Sequence, residues 1–240
     1  MNNLSQATGY CQRLKSCYTW VMEISIEKIK NVCDFYAITH KLKNTLRSGW
    51  KVWDIDAERF ESIAEHIYGT QMLALAINAE FNLGLDIARV ALMLAVHELG
   101  EVVIGDLPTV GRKISREEKH RLEMEAVEKI LGGLNNSDAI LQAYIEFEEM
   151  KTPEAKFAYF MDKLDCPFQC KFYEEKGHND LFKTRTGDFK QLCDKTISEG
   201  KTRLFDMWVE YDKEHFFAGQ DFYRTILDYI ADNDIYLKDE

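Results

Sequence analysis

Apolar residues recur along this chain at the spacing of helices, and no alternating run typical of a half-buried strand stands out. Four apolar residues at helical spacing predict an amphipathic helix over about 33–46. The sequence Arg47-Ser48-Gly49-Trp50 is expected to end this helix. A Ser-x-x-Glu capping box then predicts a helix over about 63–81.

The next predicted helix contains the most apolar stretch of the chain. Asp86 can cap its start, and the run Ala88–Val96 is apolar on most sides. This helix is expected to extend to about Val103 and to be the central buried helix of the fold. Gly105-Asp106-Leu107-Pro108 is expected to stop it.

Further start and stop signals divide the middle of the chain. Ser115 with Glu118 forms a second capping box, which opens a charged helix that stops at Gly132-Gly133. Another helix covers about 138–150. The whole chain of 240 residues has only 13 Gly and 3 Pro, and so few turn-forming residues disfavour a many-stranded sandwich or barrel.

The last part of the chain is also predicted to be helical. Thr152 as N-cap and Pro153 as first helical residue start a helix, which Pro167 is expected to kink or end. The remaining segment, about 172–240, is rich in aromatic residues at helical spacing. Together these patterns predict an all-α fold.

Composition and charge narrow the classes of function. The chain is 46% hydrophobic and 12% aromatic, which excludes disorder, and its length suits one domain or one domain with an addition. A net charge of −11 is unfavourable for nucleic-acid binding, which needs a basic surface. The charge is +3 over residues 1–56 and −14 over residues 57–240. An anionic substrate would therefore need a local cation, either a metal ion or an arginine.

The sequence shows no signal for secretion or membrane insertion. Its six cysteines form no CxxC pair, as expected for reduced thiols, and its longest apolar stretch is too short to span a membrane. We therefore expect a cytoplasmic protein with no membrane partner. Residues 1–21 are weakly patterned and are interpreted as an N-terminal tail, or as an extension upstream of Met22 as the true start.

Polar residues interrupt the central helix where it should be apolar. His97-Glu98 follows the apolar run directly, and Glu101 and Asp106 come soon after. A buried carboxylate is costly unless it is paired or bound to a cation. Several acidic residues and a histidine so close together therefore indicate a metal or catalytic site.

Two other predicted helices carry further candidate ligands. One offers His66, and the other offers Asp162 and Asp165. Imidazole and carboxylate ligands suit Mn, Fe, Co, Ni or Zn. Taken singly, each residue is more simply explained as a polar group near a helix end, so it is the full set, in this order, that indicates a metal site.

The order of these residues resembles a known enzyme superfamily. The chain holds a His, then a His-Glu pair with a following Glu and Asp, then a distant Asp: Glu65-His66, His97-Glu98-Leu99-Gly100-Glu101, Gly105-Asp106-Leu107-Pro108 and Met161-Asp162-Lys163-Leu164. This pattern resembles the HD superfamily of metal-dependent phosphohydrolases. That superfamily carries a His, a His-Asp pair and a distant Asp, each on a helix.

Further segments resemble one branch of the superfamily, the bacterial 5′-deoxynucleotidases and their eukaryotic HD-domain relatives: Leu42-Lys43, Arg47-Ser48-Gly49-Trp50, Glu61-Ser62-Ile63-Ala64-Glu65-His66, Glu117-Glu118-Lys119-His120-Arg121 and Glu154-Ala155-Lys156-Phe157. The resemblance covers about residues 35–175. It implies an HD-domain helical bundle with extra C-terminal helices. The HD-domain core would then span residues 22–175, and a helical extension over 176–240 would pack on it.

The resemblance implies a role for each matching residue. His66, His97, Glu98 and Asp162 would hold one divalent metal ion, which could be Mn, Co, Fe, Ni, Zn or Mg. Asp165 would lie behind the ligands or be an exposed carboxylate. Glu98 stands where the family has Asp, and its extra methylene moves the carboxylate by roughly 1.5 Å on a fixed backbone.

The resemblance also implies the catalytic and substrate-binding residues. Glu101 would orient or deprotonate a water molecule, or else only support His97. Asp106 would accept a hydrogen bond from the sugar 3′-hydroxyl, or be only a turn residue. Arg47 would bind the phosphate. Trp50 would face the sugar, with a core or lid aromatic as the equal alternative.

Three other residues have weaker claims to a role in the site. His120 could approach a phosphate or a second metal ion, although a solvated helix face explains it better. Glu146 and Glu148 resemble an acidic pair that contacts the site in the branch, and an exposed acidic run explains them equally well.

The function implied by the resemblance is metal-dependent hydrolysis of (deoxy)nucleoside 5′-monophosphates to nucleoside and phosphate. One alternative is HD chemistry on nucleoside triphosphates or alarmones, with extra basic residues from Arg112, Lys113, Arg116 and Lys119. A second alternative is a non-catalytic nucleotide-binding or scaffold protein with a degenerate metal site. Relatives in the branch are often homodimers, and the aromatic segment after residue 171 could be an interface or a lid.

Overall fold

The computed structural model describes residues 25–107 and 114–236. Apart from one antiparallel bridge between Leu46 and Ser62, the regular structure in these ranges is helical, which confirms the all-α prediction. The α-helices are α1 (Ile26–Thr39), α2 (Ser48–Val52), α3 (Ile63–Phe81), α4 (Ile87–Val96), α5 (Glu101–Ile104), α6 (Arg116–Leu131), α7 (Asp138–Glu149), α8 (Pro153–Glu175), α9 (Gly187–Ser198), α10 (Leu204–His215) and α11 (Asp221–Asp232).

Some features expected from the sequence lie outside the described residues. They are the tail or extension over residues 1–21, Pro108 at the end of the loop, and the basic residues Arg112 and Lys113. Within the described ranges, no helix combines the length and the hydropathy needed to cross a bilayer.

Helices α3, α4 and α8 pack against one another at the centre of the molecule, and α7 covers α4. Val90, Met93 and Leu94 of α4 are inaccessible to solvent. The predicted central position of α4 is therefore confirmed, but the helix is not buried on most sides, because Ala88 and Ala95 are exposed. Burial of its apolar face is of the kind that contributes most to folding.

Local capping sets several helix starts as the sequence predicts. Ser62 and Glu65 form a reciprocal capping box at α3, Asp86 accepts a hydrogen bond from the Arg89 amide at α4, and the Thr152 hydroxyl accepts one from the amide at the third position of α8. Each cap joins residues only three positions apart. A short sequence window is therefore enough to specify it.

The cap of α6 differs from the prediction. Ser115 accepts a hydrogen bond from the Glu118 amide. The Glu118 carboxylate, however, pairs with Arg121 one turn later.

The first predicted helix is shifted. It runs over Ile26–Thr39 and continues as a 3-10 turn over His40–Lys43, so Leu46 lies outside it. Residues 45–47 pair through their backbones with the segment before α3: Arg47 N donates to Glu61 O and Ile63 N donates to Thr45 O, both at 2.9 Å. This pairing draws the chain into an extended conformation. The prediction that Arg47-Ser48-Gly49-Trp50 ends a helix was wrong, because Arg47 instead precedes α2.

The central helix is shorter than predicted. Helix α4 ends at Val96, and His97 to Gly100 form a tight turn before α5 begins. In this turn Leu99 N donates to Val96 O at 3.0 Å and Glu101 N donates to Glu98 O at 3.1 Å, which are 3-10 contacts. His97, Glu98 and Glu101 therefore do not lie on one continuous α-helix. The turn gives these side chains directions that differ from those on a continuous α-helix.

Pro167 does not end the long helix. Helix α8 continues to Glu175 because its residues on both sides of Pro167 are buried against neighbouring helices. Leu164 and Cys170 flank the proline and are inaccessible to solvent. Burial at the neighbouring turns therefore outweighs the loss of one backbone donor.

The C-terminal helices attach to α8 through an aromatic cluster. Trp208 of α10 stacks on Trp50 with ring centroids 5.0 Å apart and lies 4.2 Å from Trp53. Tyr173 of α8 packs edge-on against Trp50, and Phe189 of α9 packs edge-on against Trp53. The cluster joins α2 near the N-terminus to α9 and α10 near the C-terminus.

We expect Gly100→Ala to lower the free energy of unfolding by about 1–3 kcal/mol. An added Cβ would lie 2.8 Å from the Cβ of Glu123 on α6 and 3.0 Å from its Cα. Urea unfolding measures the change. Gly133→Ala is the matched control, because its added Cβ would lie 3.7 Å from its nearest neighbour, the Ile130 carbonyl oxygen. Equal stability of the two variants would contradict this account of the packing.

Candidate metal centre and active site

Two imidazoles and two carboxylates converge where α3, the turn after α4, and α8 meet. His66 Nε2 lies 3.1 Å from Asp162 Oδ1 and 3.4 Å from His97 Nε2. Glu98 Oε1 lies 3.6 Å from each of the two imidazole Nε2 atoms. One ligand atom from each of the four residues lies within 4.8 Å of the others. The structure thus brings together the four residues that the sequence predicted as metal ligands.

Hydrogen bonds behind the imidazoles orient their Nε2 atoms toward this centre. His66 Nδ1 lies 2.7 Å from Asp165 Oδ2, and His97 Nδ1 lies 2.8 Å from the Leu94 carbonyl oxygen. In each ring Nδ1 is therefore a donor, which leaves Nε2 as the nitrogen that can bind a ligand. Asp165 is buried. It therefore lies behind the ligand His66 and is not an exposed carboxylate, which were the two positions expected for it.

A close approach of α3 to α8 makes the Asp165 contact possible. A Cβ built on Gly69, one turn after His66, would overlap the Asp165 carboxylate. Glycine at this position lets the two helices come close enough for the 2.7 Å hydrogen bond.

The chemistry of the four side chains fits a divalent cation. Burial and the charge of Arg47 oppose protonation of His66, yet hydrogen bonds to Asp162 and Asp165 raise its pKa to about 10 in the metal-free chain. Without a metal ion, the proton on His66 balances part of the negative charge of the carboxylates. A bound metal ion would supply positive charge in its place and displace that proton. A set of two imidazoles and two carboxylates suits a first-row divalent ion.

A cavity of about 150 Å³ lies in front of this cluster. Arg47, Glu98, Glu101, Asp106 and Asp162 all line it. Two of the predicted metal ligands therefore face the same space as the predicted phosphate-binding, catalytic and sugar-binding residues. Lys119 and Lys163 line the same cavity, and the sequence analysis assigned neither of them to the phosphate or metal site of a monoesterase.

Arg47 and Lys163 each place a positive charge beside one carboxylate of the cluster. Arg47 Nη1 lies 3.6 Å from Glu98 Oε1, and Lys163 Nζ lies 2.7 Å from Asp162 Oδ2. The Lys163 contact leaves the other oxygen of Asp162 directed at the imidazoles. Lys163 directly follows Asp162 in the motif, so its position beside a ligand could have been considered from the sequence.

Glu101 is buried beside the cluster and is only partly paired. Its Oε1 accepts a hydrogen bond from Lys119 Nζ at 3.1 Å, while its Oε2 is buried without a hydrogen-bond partner in the described ranges. Burial and the charge of Glu98 hold its pKa well above the usual range, against the opposing charge of Lys119. A carboxyl group with a raised pKa that lines a cavity is a candidate for holding and moving a proton.

Asp106 and Trp50 have structural contacts as well as positions on the cavity. The Asp106 carboxylate accepts a hydrogen bond from the Ser48 amide, which fixes the loop after α5 to the start of α2. Trp50 is buried, and its Nε1 donates to Glu61 Oε2 at 2.9 Å. Trp50 is therefore a core residue that also forms part of the cavity wall.

The residues with weaker claims lie at different places. His120 is half-exposed and pairs with Glu148 at 2.8 Å on the rim of an adjoining cavity of about 620 Å³. Glu146 instead lies away from both cavities, where it pairs with Arg89 at 2.6 Å and accepts a hydrogen bond from Thr152. The two glutamates therefore do not act as a pair at the site.

One wall of the cavity was not predicted from the sequence. It is formed by α10 and the residue after it, through Trp208, Tyr211, Asp212 and Phe216. No motif in the C-terminal segment indicated this position. Aromatic residues at helical spacing are equally typical of an ordinary core.

The family model described as an HD domain matches residues 39–205, which is more than half of the chain. The chain belongs to the HD domain family. The match includes all four residues of the cluster together with Arg47, Glu101 and Asp106. It ends within α10, before the rest of the cavity wall formed by that helix.

Several curated relatives of this HD domain protein are named 5′-deoxynucleotidase. A protein of that name from Schizosaccharomyces pombe is 35% identical over 162 residues, covering 64% of this chain and 79% of its own. One from Saccharomyces cerevisiae is 32% identical and covers 76% of this chain and 83% of its own. One from Homo sapiens is 27% identical, and the match covers 73% of this chain and 89% of its own.

Solved structures show the same fold. A conserved hypothetical protein from Pyrococcus furiosus matches with a TM-score of 0.58 at 21% identity, over 84% of this chain and 99% of its own. A predicted metal-dependent phosphohydrolase from Magnetospirillum magnetotacticum also matches with a TM-score of 0.58. It is 22% identical, and the match covers 88% of this chain and 95% of its own.

We expect Asp165→Asn to lower the affinity of the cluster for a divalent ion by about 10- to 100-fold, because the imidazole of His66 loses its charged hydrogen-bond acceptor. Calorimetric titration of the metal-free protein with Mn²⁺ or Co²⁺ measures this. Asp56→Asn changes an exposed aspartate and is the control. Unchanged affinity in Asp165→Asn would contradict the orienting role.

Proposed function

We propose that this HD domain protein is a metal-dependent phosphohydrolase that converts (deoxy)nucleoside 5′-monophosphates into nucleoside and phosphate. The observation that carries the proposal is the convergence of four ligand atoms beside a cavity that Glu98, Asp162 and Arg47 line. The relatives named 5′-deoxynucleotidase, at 27–35% identity, support this choice of substrate.

In this proposal His66, His97, Glu98 and Asp162 hold one divalent ion, which is Mn, Co, Fe, Ni, Zn or Mg. When bound, such an ion polarises the phosphate and lowers the pKa of water. Glu98 takes the position of the family aspartate. Its carboxylate lies close to both imidazoles, which supports its assignment as a ligand despite the longer side chain.

Arg47 binds the phosphate through its guanidinium group. A guanidinium can donate two parallel hydrogen bonds to a phosphate, and Arg47 lies at the cavity next to Glu98. A cation here is needed because the rest of the cavity carries several carboxylates. Lys119 and Lys163 add positive charge on the same cavity.

Glu101 moves the proton in this mechanism. As water attacks phosphorus and the bond from phosphorus to the 5′-oxygen breaks, a proton must leave the water and one must reach the 5′-oxygen. Glu101 can accept the first and deliver the second, because burial and the charge of Glu98 hold its pKa well above the usual range of a carboxyl group. Asp106, fixed by the Ser48 amide, accepts a hydrogen bond from the sugar 3′-hydroxyl.

The adjoining cavity supports one alternative. It measures about 620 Å³, and Arg116, Lys119 and Lys163 line it. These cationic residues and this volume could accommodate the longer phosphate chain of a nucleoside triphosphate or an alarmone. The non-catalytic alternative predicts binding without turnover. Assembly as a homodimer and a cytoplasmic location stay predictions.

The proposal predicts release of phosphate from deoxynucleoside 5′-monophosphates when a divalent ion is added to chelator-treated protein. A panel of mono- and triphosphates with Mn²⁺, Co²⁺ or Mg²⁺, followed by phosphate detection, tests it. Glu101→Gln is the comparison, with an expected loss of about 10²- to 10⁴-fold in kcat. Turnover of triphosphates alone would favour the alternative substrate class, and binding without turnover would favour the non-catalytic one.

We expect Glu98→Asp to retain or raise activity, because it restores the residue that the family carries at this position. Glu98→Gln is the matched variant and should lose most activity, since it removes the charge of a ligand. Rates at saturating metal, measured beside the metal affinity of each variant, check both expectations. Complete loss in Glu98→Asp would indicate a site built around the longer side chain.

A further inference from the structure

The cavity has a wall that the HD domain match does not cover. Trp208, Tyr211, Asp212 and Phe216 line it, and the match ends at residue 205. Trp208 is held in place by stacking on Trp50. This wall is therefore rigidly attached to the site, although it comes from the C-terminal helices.

Asp212 places a carboxyl group in an aromatic wall. Only 2% of its surface is exposed, and its Oδ2 atom has no hydrogen-bond partner among the residues that the structure describes. The nearby Trp208 side chain acts on the same carboxyl group and opposes a rise in its pKa. Leaving a buried carboxylate oxygen unpaired is unfavourable, and a ligand that donates a hydrogen bond would remove the cost.

The position of Asp212 indicates which part of a substrate it would meet. Lys163 pairs with the cluster residue Asp162, and its positive charge also acts on Asp212. A phosphate belongs beside the cluster and Arg47, because a second anion next to Asp212 would be repelled. The uncharged nucleoside is the part of the substrate that suits this wall.

The aromatic neighbours favour a base over a sugar. Tyr211 and Phe216 line the cavity on either side of Asp212 in the sequence, and aromatic side chains bind the faces of nucleobases. Burial raises the pKa of Asp212, while the charge of Lys163 opposes this rise. A hydrogen bond donated by a base would stabilise the ionised form of the carboxyl group.

We propose that Asp212 is a specificity-determining residue, whose Oδ2 accepts a hydrogen bond from the exocyclic amine of the substrate's nucleobase. This inference rests on the proposed function. Adenine and cytosine carry such an amine beside a ring nitrogen, whereas thymine offers carbonyl oxygens at the corresponding edge. These oxygens would be repelled by the carboxylate, so the site favours amine-bearing bases.

The test is Asp212→Asn, which keeps the shape of the side chain and removes its charge. The amide replaces one of the two acceptor oxygens with an NH₂ group, which donates and does not accept hydrogen bonds. We expect kcat/KM to fall about tenfold or more for dAMP and dCMP, and to stay level or rise for dTMP. Deoxyribose 5-phosphate, which has no base, should be unaffected.

Glu210→Gln is the matched control, because it makes the same chemical change on an exposed residue of the same helix. It should leave all four rates unchanged. An equal loss for every substrate in Asp212→Asn, or no change for any, would overturn the inference. If Asp212→Asn fails to fold, Asp212→Ser should show the same loss of preference.

A binding measurement separates this inference from the proposed function. Deoxyadenosine and thymidine are titrated calorimetrically into chelator-treated wild type and Asp212→Asn, so that no hydrolysis is involved. Tighter binding of deoxyadenosine to wild type, lost in the variant, supports the role of Asp212 even if no phosphate is ever released. Equal binding of both nucleosides to wild type overturns it, even if the enzyme is active.

Discussion

The convergence of two imidazoles and two carboxylates at one point is the interaction on which the rest of this structure depends. Glu98 and Asp162 can be held so close together because His66, Arg47 and Lys163 lie against them. Holding these groups together requires α3, α4 and α8 to meet at one point. Gly69 allows α3 to approach α8 closely, and the tight turn after α4 places His97 and Glu98 beside them.

The same constraint explains how the two ends of the chain take part in the site. Arg47 reaches the cluster because the backbone before α2 pairs with the segment before α3. Trp50 then anchors α2 through Glu61 and stacks on Trp208 of α10. The helices that follow the long α8 thus become part of the cavity. The HD domain supplies the cluster and Arg47, and most of the last wall lies outside the matched segment.

This division gives different parts of the chain different roles. The cluster and the charged residues around it fit the phosphate, whose chemistry does not vary among nucleotides. The wall from α10 carries an unpaired carboxylate oxygen and aromatic rings, which can interact with a part of the substrate that does vary. A family scaffold can in this way keep one reaction while a neighbouring helix changes the choice of substrate.

The sequence by itself determined the all-α class, several helix starts and the four residues that converge. Caps such as Ser62 with Glu65 involve residues three positions apart, and the motif residues carry their chemistry in their identity. Only the tertiary structure decided that α4 ends at Val96, that α8 continues past Pro167, and that Asp212 faces the cavity. These outcomes depend on packing between segments far apart in the chain. No local pattern of residues contains that information.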